Sequence, residues 1–95
     1  QAEIAVENYL DLARQLDDPR IAERAVRVAI YAQDLEAAQQ AAERWIELQP
    51  DKLEARQISA VIYIRQKQPE KAASYLIQVL EAQPELTDQD FKALL

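Results

Sequence analysis

The chain has 95 residues, 49% of them apolar, and carries 17 acidic against 11 basic side chains for a formal net charge of −6. That is enough chain for one domain with a buried core, and too negative for non-specific attraction to a phosphate backbone. It contains no Cys, no His and no Gly, which removes disulfides, imidazole- or thiolate-bound zinc and glycine-built phosphate loops.

The missing glycine also speaks to fold class. Ordinary usage would give roughly six or seven in this length, and hairpin-rich β folds depend on them for positive φ. Helices joined by short turns do not. Apolar runs such as Ala60 to Ile64 are far too short to span a membrane, and no basic segment leads into an apolar one as a signal peptide requires. The chain opens on Gln1 rather than Met and ends on Phe91, Ala93, Leu94 and Leu95, so the expectation is a piece of a longer protein.

Helical spacing of apolar residues runs the length of the chain. A first helix is expected over about residues 2–16, with Ile4, Ala5, Tyr9, Leu12, Ala13 and Leu16 inward. Asp18 has the position of an N-cap, with Pro19 in the first turn, where its missing N–H is not needed. The second helix runs to about Ala32. Asp34 caps the third, whose inner face reads Leu35, Ala38, Ala41, Ala42, Trp45 and Leu48, and Pro50 stops it. Asp51 and Glu54 have capping-box spacing, which opens a fourth helix. Gln68-Pro69 makes the next turn, and a fifth helix carries Ala72, Ala73, Leu76, Val79 and Leu80. Thr87 with Asp90 starts a sixth.

A period of 34 residues underlies this order. Leu48-Gln49-Pro50-Asp51 recurs as Ala82-Gln83-Pro84-Glu85, and Ala38/Ala72, Glu47/Glu81 and Gln49/Gln83 keep the same interval. Connections of two to four residues make neighbouring helices antiparallel. No single hairpin can bury its own apolar face, so the units must stack. The expected architecture is all-α, a stacked row of antiparallel helix hairpins.

These residues resemble tetratricopeptide repeats (TPR). Ala38 and Ala72 match the small residue early in the pattern's second helix, and Ala60 and Tyr63 match the small and aromatic positions of the first. Pro50 and Pro84 match the closing proline. The resemblance implies a right-handed α-solenoid of antiparallel helix hairpins, with a partial repeat at 1–18, repeats at 19–52 and 53–86, and a truncated helix at 87–95. The chain departs from the pattern in Ala22 and Arg56, where a bulky residue is usual, in Trp45, where a small one is, and in Gln33 and Lys67, where the inner turn has Gly. The strings YLDLARQLDDPRIAERAVRVA and RWIELQPDKLEARQ are also similar to tetratricopeptide proteins of Gram-negative bacteria, often periplasmic lipoproteins. One such group presents substrates to a carboxyl-terminal processing protease. That resemblance implies a protease or its substrate as partner, and a cell-envelope location that the residues themselves leave open.

The candidate binding face follows from helix geometry and the resemblance together. Arg20, Arg24, Arg27 and Tyr31 fall within about 60° of arc. The resemblance places them on the concave side, with Glu54, Ile58, Val61 and Arg65 as the equivalent row and Glu23 and Gln57 on the flank. Arg pairs carboxylates in a two-pronged fashion, which suits an acidic or C-terminal peptide. Two blander readings stay open: the arginines pair with Glu3, Glu7 and Asp11 of the first helix, or they are simply solvated. Nucleic acid is disfavoured because acid-rich helices flank the stripe. The carboxylate clamp of chaperone-binding relatives is not matched, since it requires Lys and Asn where this chain has Glu23, Arg24 and Ile58.

Trp45 and the tyrosines read as core before they read as a ligand cage. Aliphatic hydroxyls are confined to Ser59, Ser74 and Thr87, and Ser59 falls on a buried side, where it is expected to bond back to a carbonyl. No catalytic residue, metal site or cofactor is expected, nor any membrane contact from this segment. Three readings therefore compete. One is a scaffold or adaptor binding a protein or peptide on its concave face. Another is a purely structural stretch that stacks or self-associates through its exposed repeat ends, by way of the first helix or Phe91–Leu95. The third is a closed acidic helical bundle.

Overall fold

The computed structural model describes residues 2–83 and contains five helices, with no strand among the described residues. They are α1 (Ala2–Gln15), α2 (Pro19–Tyr31), α3 (Leu35–Leu48), α4 (Leu53–Arg65) and α5 (Pro69–Ala82). The corner at Pro84, the sixth helix at Thr87–Asp90 and the Phe91–Leu95 segment lie outside the described residues.

Local chemistry explains most helix ends. Asp18 accepts from the Arg20 amide, and Pro19 begins α2 as anticipated. Asp34 accepts from the Ala37 amide at 3.0 Å and caps α3. The two inner turns are built alike. Gln33 (φ 61°) and Lys67 (φ 60°) are left-handed, and they sit 34 residues apart. After α2, Asp34 N–H donates to the Ala29 carbonyl and Gln33 N–H to the Ile30 carbonyl; after α4, Gln68 and Lys67 do the same to Tyr63 and Ile64. This is the Schellman arrangement, which satisfies the last carbonyls of a helix through one residue of positive φ.

The outer corner departs from expectation. Asp51 does not cap α4. Lys52 holds the cap position with no side-chain hydrogen bond, because Gln49-Pro50-Asp51-Lys52 closes as a turn with Lys52 N–H on the Gln49 carbonyl at 3.0 Å. That turn uses Pro50 where φ is already fixed and leaves Asp51 outside the helix. The inward face of α1 also differs. Val6, Leu10 and Ala13 are buried, whereas Ile4, Leu12 and Leu16 are 59%, 42% and 44% exposed. The helix has two apolar stripes, and α2 and α3 cover only the first.

Each helix packs on the next in sequence, α1 also touches α3, and no contact of comparable extent joins α1 to α4 or α5. A closed bundle would bring its first and last helices together, so the arrangement is an open stack of hairpins 39 × 26 × 20 Å across. Alanines such as Ala25, Ala38, Ala41 and Ala42 are buried between helices and let the axes approach closely. Trp45, Ile62, Val26 and Val79 are the largest fully buried side chains. Arg44 ties the stack together. Its guanidinium donates to the Ala13 and Leu16 carbonyls at the end of α1 and pairs with Asp17 at 2.7 Å and Glu47 at 2.9 Å. The hydrogen bonds to Glu47 and Asp17 raise its pKa above the ordinary arginine value.

Candidate functional site

The helix order that stacks the hairpins also sets α2 and α4 on either side of a groove, with α3 behind them. In its floor lies a cavity of about 150 Å³ lined by Val26 and Arg27 of α2, Trp45 of α3, and Glu54, Gln57, Ile58 and Val61 of α4. The walls are chiefly apolar. Trp45 closes the back, 2% exposed, and its indole N–H is satisfied by the Gln49 side chain at 2.8 Å. No buried side-chain nitrogen or oxygen lacks a partner among the described residues. Beside the cavity, on α2, a shallow depression is lined by Arg20, Glu23, Arg24 and Arg27.

The charges there are only partly free. Arg20 grips Asp18 with two nitrogens, at 3.1 and 2.9 Å. That hydrogen bond, with the Arg20 amide, holds the Asp18 carboxyl below the usual carboxylate value, and it raises the Arg20 guanidinium in turn. Arg27 pairs with Glu23 at 2.6 Å on its own helix and reaches Glu54 across the groove at 4.0 Å. Arg24 has no ion pair among the described residues. The arginines therefore do not pair with Glu3, Glu7 or Asp11 of α1. Asp11 pairs instead with Arg14 at 3.5 Å, and the partners of the α2 arginines are Asp18, Glu23 and Glu54.

Of the sequence-predicted residues, Arg27, Glu54, Gln57, Ile58 and Val61 meet around the cavity, and Arg20, Glu23 and Arg24 line its neighbour. Tyr31, 87% exposed, and Arg65, also exposed, stand at the C-terminal ends of α2 and α4 and line neither hollow. Two lining residues, Val26 and Trp45, were not anticipated as part of the site. Both are core residues by spacing and by burial, and a residue that closes a groove from behind carries the same sequence signal as any other core residue.

No family model matches the chain. A TPR repeat-containing protein of Pseudomonas aeruginosa is 34% identical over 92 residues, which is 97% of this chain. These are tetratricopeptide repeats. The chain spans 15% of that relative's length.

In this TPR segment the departures from the repeat pattern acquire physical meaning. The two residues that replace the inner-turn glycine are the two with positive φ among the described residues, so the backbone keeps the geometry although the side chain does not favour it. Trp45 is large where a small residue is usual, and it fills space between α2 and α4 that would otherwise deepen the groove. Tyr63, at the aromatic position, stacks on Tyr75 of α5 with centroids 5.7 Å apart and lies under Lys71. Its phenol, raised chiefly by burial and then by the Glu43 carboxylate, stays neutral beyond the usual tyrosine range. Ser59 is buried and donates to the Ala55 carbonyl at 2.8 Å, as its position foretold.

Proposed function

We propose that the groove between α2 and α4 binds an extended segment of a protein partner, which makes this stretch a scaffold or adaptor module without catalysis of its own. The observation that carries the reading is the apolar cavity and, sharing Arg27 with it, the depression lined by Arg24, a cation with no acidic partner among the described residues. The test is a selection of displayed peptides on the 95-residue chain, repeated on a variant with Arg20, Arg24 and Arg27 changed to Glu. Peptides rich in carboxylates are expected to be selected by the parent chain and lost by the variant at unchanged helicity. Equal capture by both chains removes the groove from consideration.

A second reading, self-association, is favoured by Ile4 and Leu12 on α1, by Leu16 directly after it, and by Ile77 and Leu80 on α5, all exposed. A chain that selects no peptide but dimerises in the same samples supports it. The narrower role of an envelope adaptor for a carboxyl-terminal processing protease rests on the resemblance of the strings quoted above, and co-purification of such a protease with the parent protein is its test.

A further inference from the structure

The cavity in the groove floor has the size of one side chain. About 150 Å³ of apolar space holds a benzene-sized group, while Trp45, Val26, Ile58 and Val61 offer it carbon on most sides. The charges at the rim are asymmetric. Glu54 stands on the α4 side, 54% exposed, with Arg27 the cation facing it at 4.0 Å. Arg24 lies one turn before Arg27, in the adjoining depression that shares Arg27 with the cavity, and is without an acidic partner among the described residues. Positions three apart on a helix are about 5–6 Å from each other. In an extended peptide, residues i and i+2 point the same way, about 6–7 Å apart.

We infer that the groove recognises a two-point motif in an extended peptide: one Phe- or Leu-sized side chain seated on Trp45, and one carboxylate two positions away on Arg24. The inference rests on the groove reading of the previous subsection and adds the chemistry of the occupant. The apolar anchor supplies the affinity, because burying such a side chain is worth more than an exposed ion pair. The carboxylate fixes the register, and Glu54 and Arg24 together decide which side of the groove it takes.

Trp45 is the chain's one tryptophan, so its fluorescence reports occupancy of the cavity without a label. The probes are the acetylated, amidated pentapeptide Ser-Phe-Ser-Asp-Ser and its order-reversed form, each with Phe→Ala and Asp→Asn versions. A saturable change in Trp45 emission is expected with at least one order. Loss of Phe should weaken binding at least tenfold, and loss of the carboxylate severalfold. Val61→Phe, which fills the cavity, should remove the Phe dependence while leaving the response to Asp. Changes on the peptide side carry the test even where that variant folds poorly. Equal binding of the Phe and Ala peptides overturns the anchor. If the Asp dependence persists in that case, the groove reading survives alone. Silence of every peptide overturns the motif as well, and the groove reading then stands or falls on the displayed-peptide selection.

Discussion

At Gln33 and Lys67 the backbone is left-handed in side chains that have a Cβ to accommodate. The left-handed region strains an ordinary L-residue by roughly 1–2 kcal/mol, and glycine relieves this while losing roughly 0.5–1 kcal/mol of chain entropy. Both side chains are exposed, so nothing packed is lost on replacement. Gln33→Gly and Lys67→Gly should each stabilise the chain by about 0.5–1 kcal/mol, read as a higher urea midpoint at unchanged m-value. A midpoint that stays put or falls would mean that the strain is absorbed elsewhere. The sequence marked these two positions because the repeat pattern has glycine there, and the backbone supplied the reason. The pairing of the arginines is mostly local: Asp18 and Glu23 lie two and four residues before Arg20 and Arg27, spacings the sequence already offered, and only Glu54 reaches Arg27 through the fold.

The helices differ in how well their ends are made. Asp34 caps α3 through the Ala37 amide, whereas the equivalent position before α5 is Gln68, which makes no side-chain cap bond. A short carboxylate reaches the first-turn amides, and a glutamine side chain is one carbon too long to do so in the same geometry. Removing the cap by Asp34→Ala should cost about 1 kcal/mol, and creating one by Gln68→Asp should return a comparable amount at α5. Amide exchange in the first turns of α3 and α5 checks both, with faster exchange expected in one and slower in the other. An Asp at 68 that leaves α5 exchange unchanged would show that this end is limited by packing rather than by its cap. Helix existence and order were legible at this scale because period and punctuation agree. Which face of α1 turns inward was not. Ile4, Leu12 and Leu16 form as good a stripe as Val6, Leu10 and Ala13, and only the helices packed against α1 decide between them. The capping box at Asp51 failed for a related reason: the Pro50 corner formed a turn of its own and used the residues that the box would have needed.

For the whole molecule, the arrangement of contacts decides how damage spreads. Each helix rests mainly on its sequence neighbours, so stability is close to a sum of local terms rather than a property of one shared centre. Trp45 sits in the middle of the run and Val79 at its α5 end, both essentially buried. Trp45→Ala should cost about 3–5 kcal/mol, a large fraction of what a small domain has, and should melt the chain throughout. Val79→Ala removes two methyl-sized groups and about 1.5–2.5 kcal/mol, but among the described helices α5 packs extensively only on α4. Hydrogen exchange should therefore quicken along α4 and α5 in this variant, while amides of α1 and α2 keep most of their protection. In a closed bundle the same cavity would touch the common core, and protection would fall in every helix together. Uniform loss across α1 to α5 would thus contradict the open stack, and with it the groove between α2 and α4, which is open because none of the described helices closes over that side.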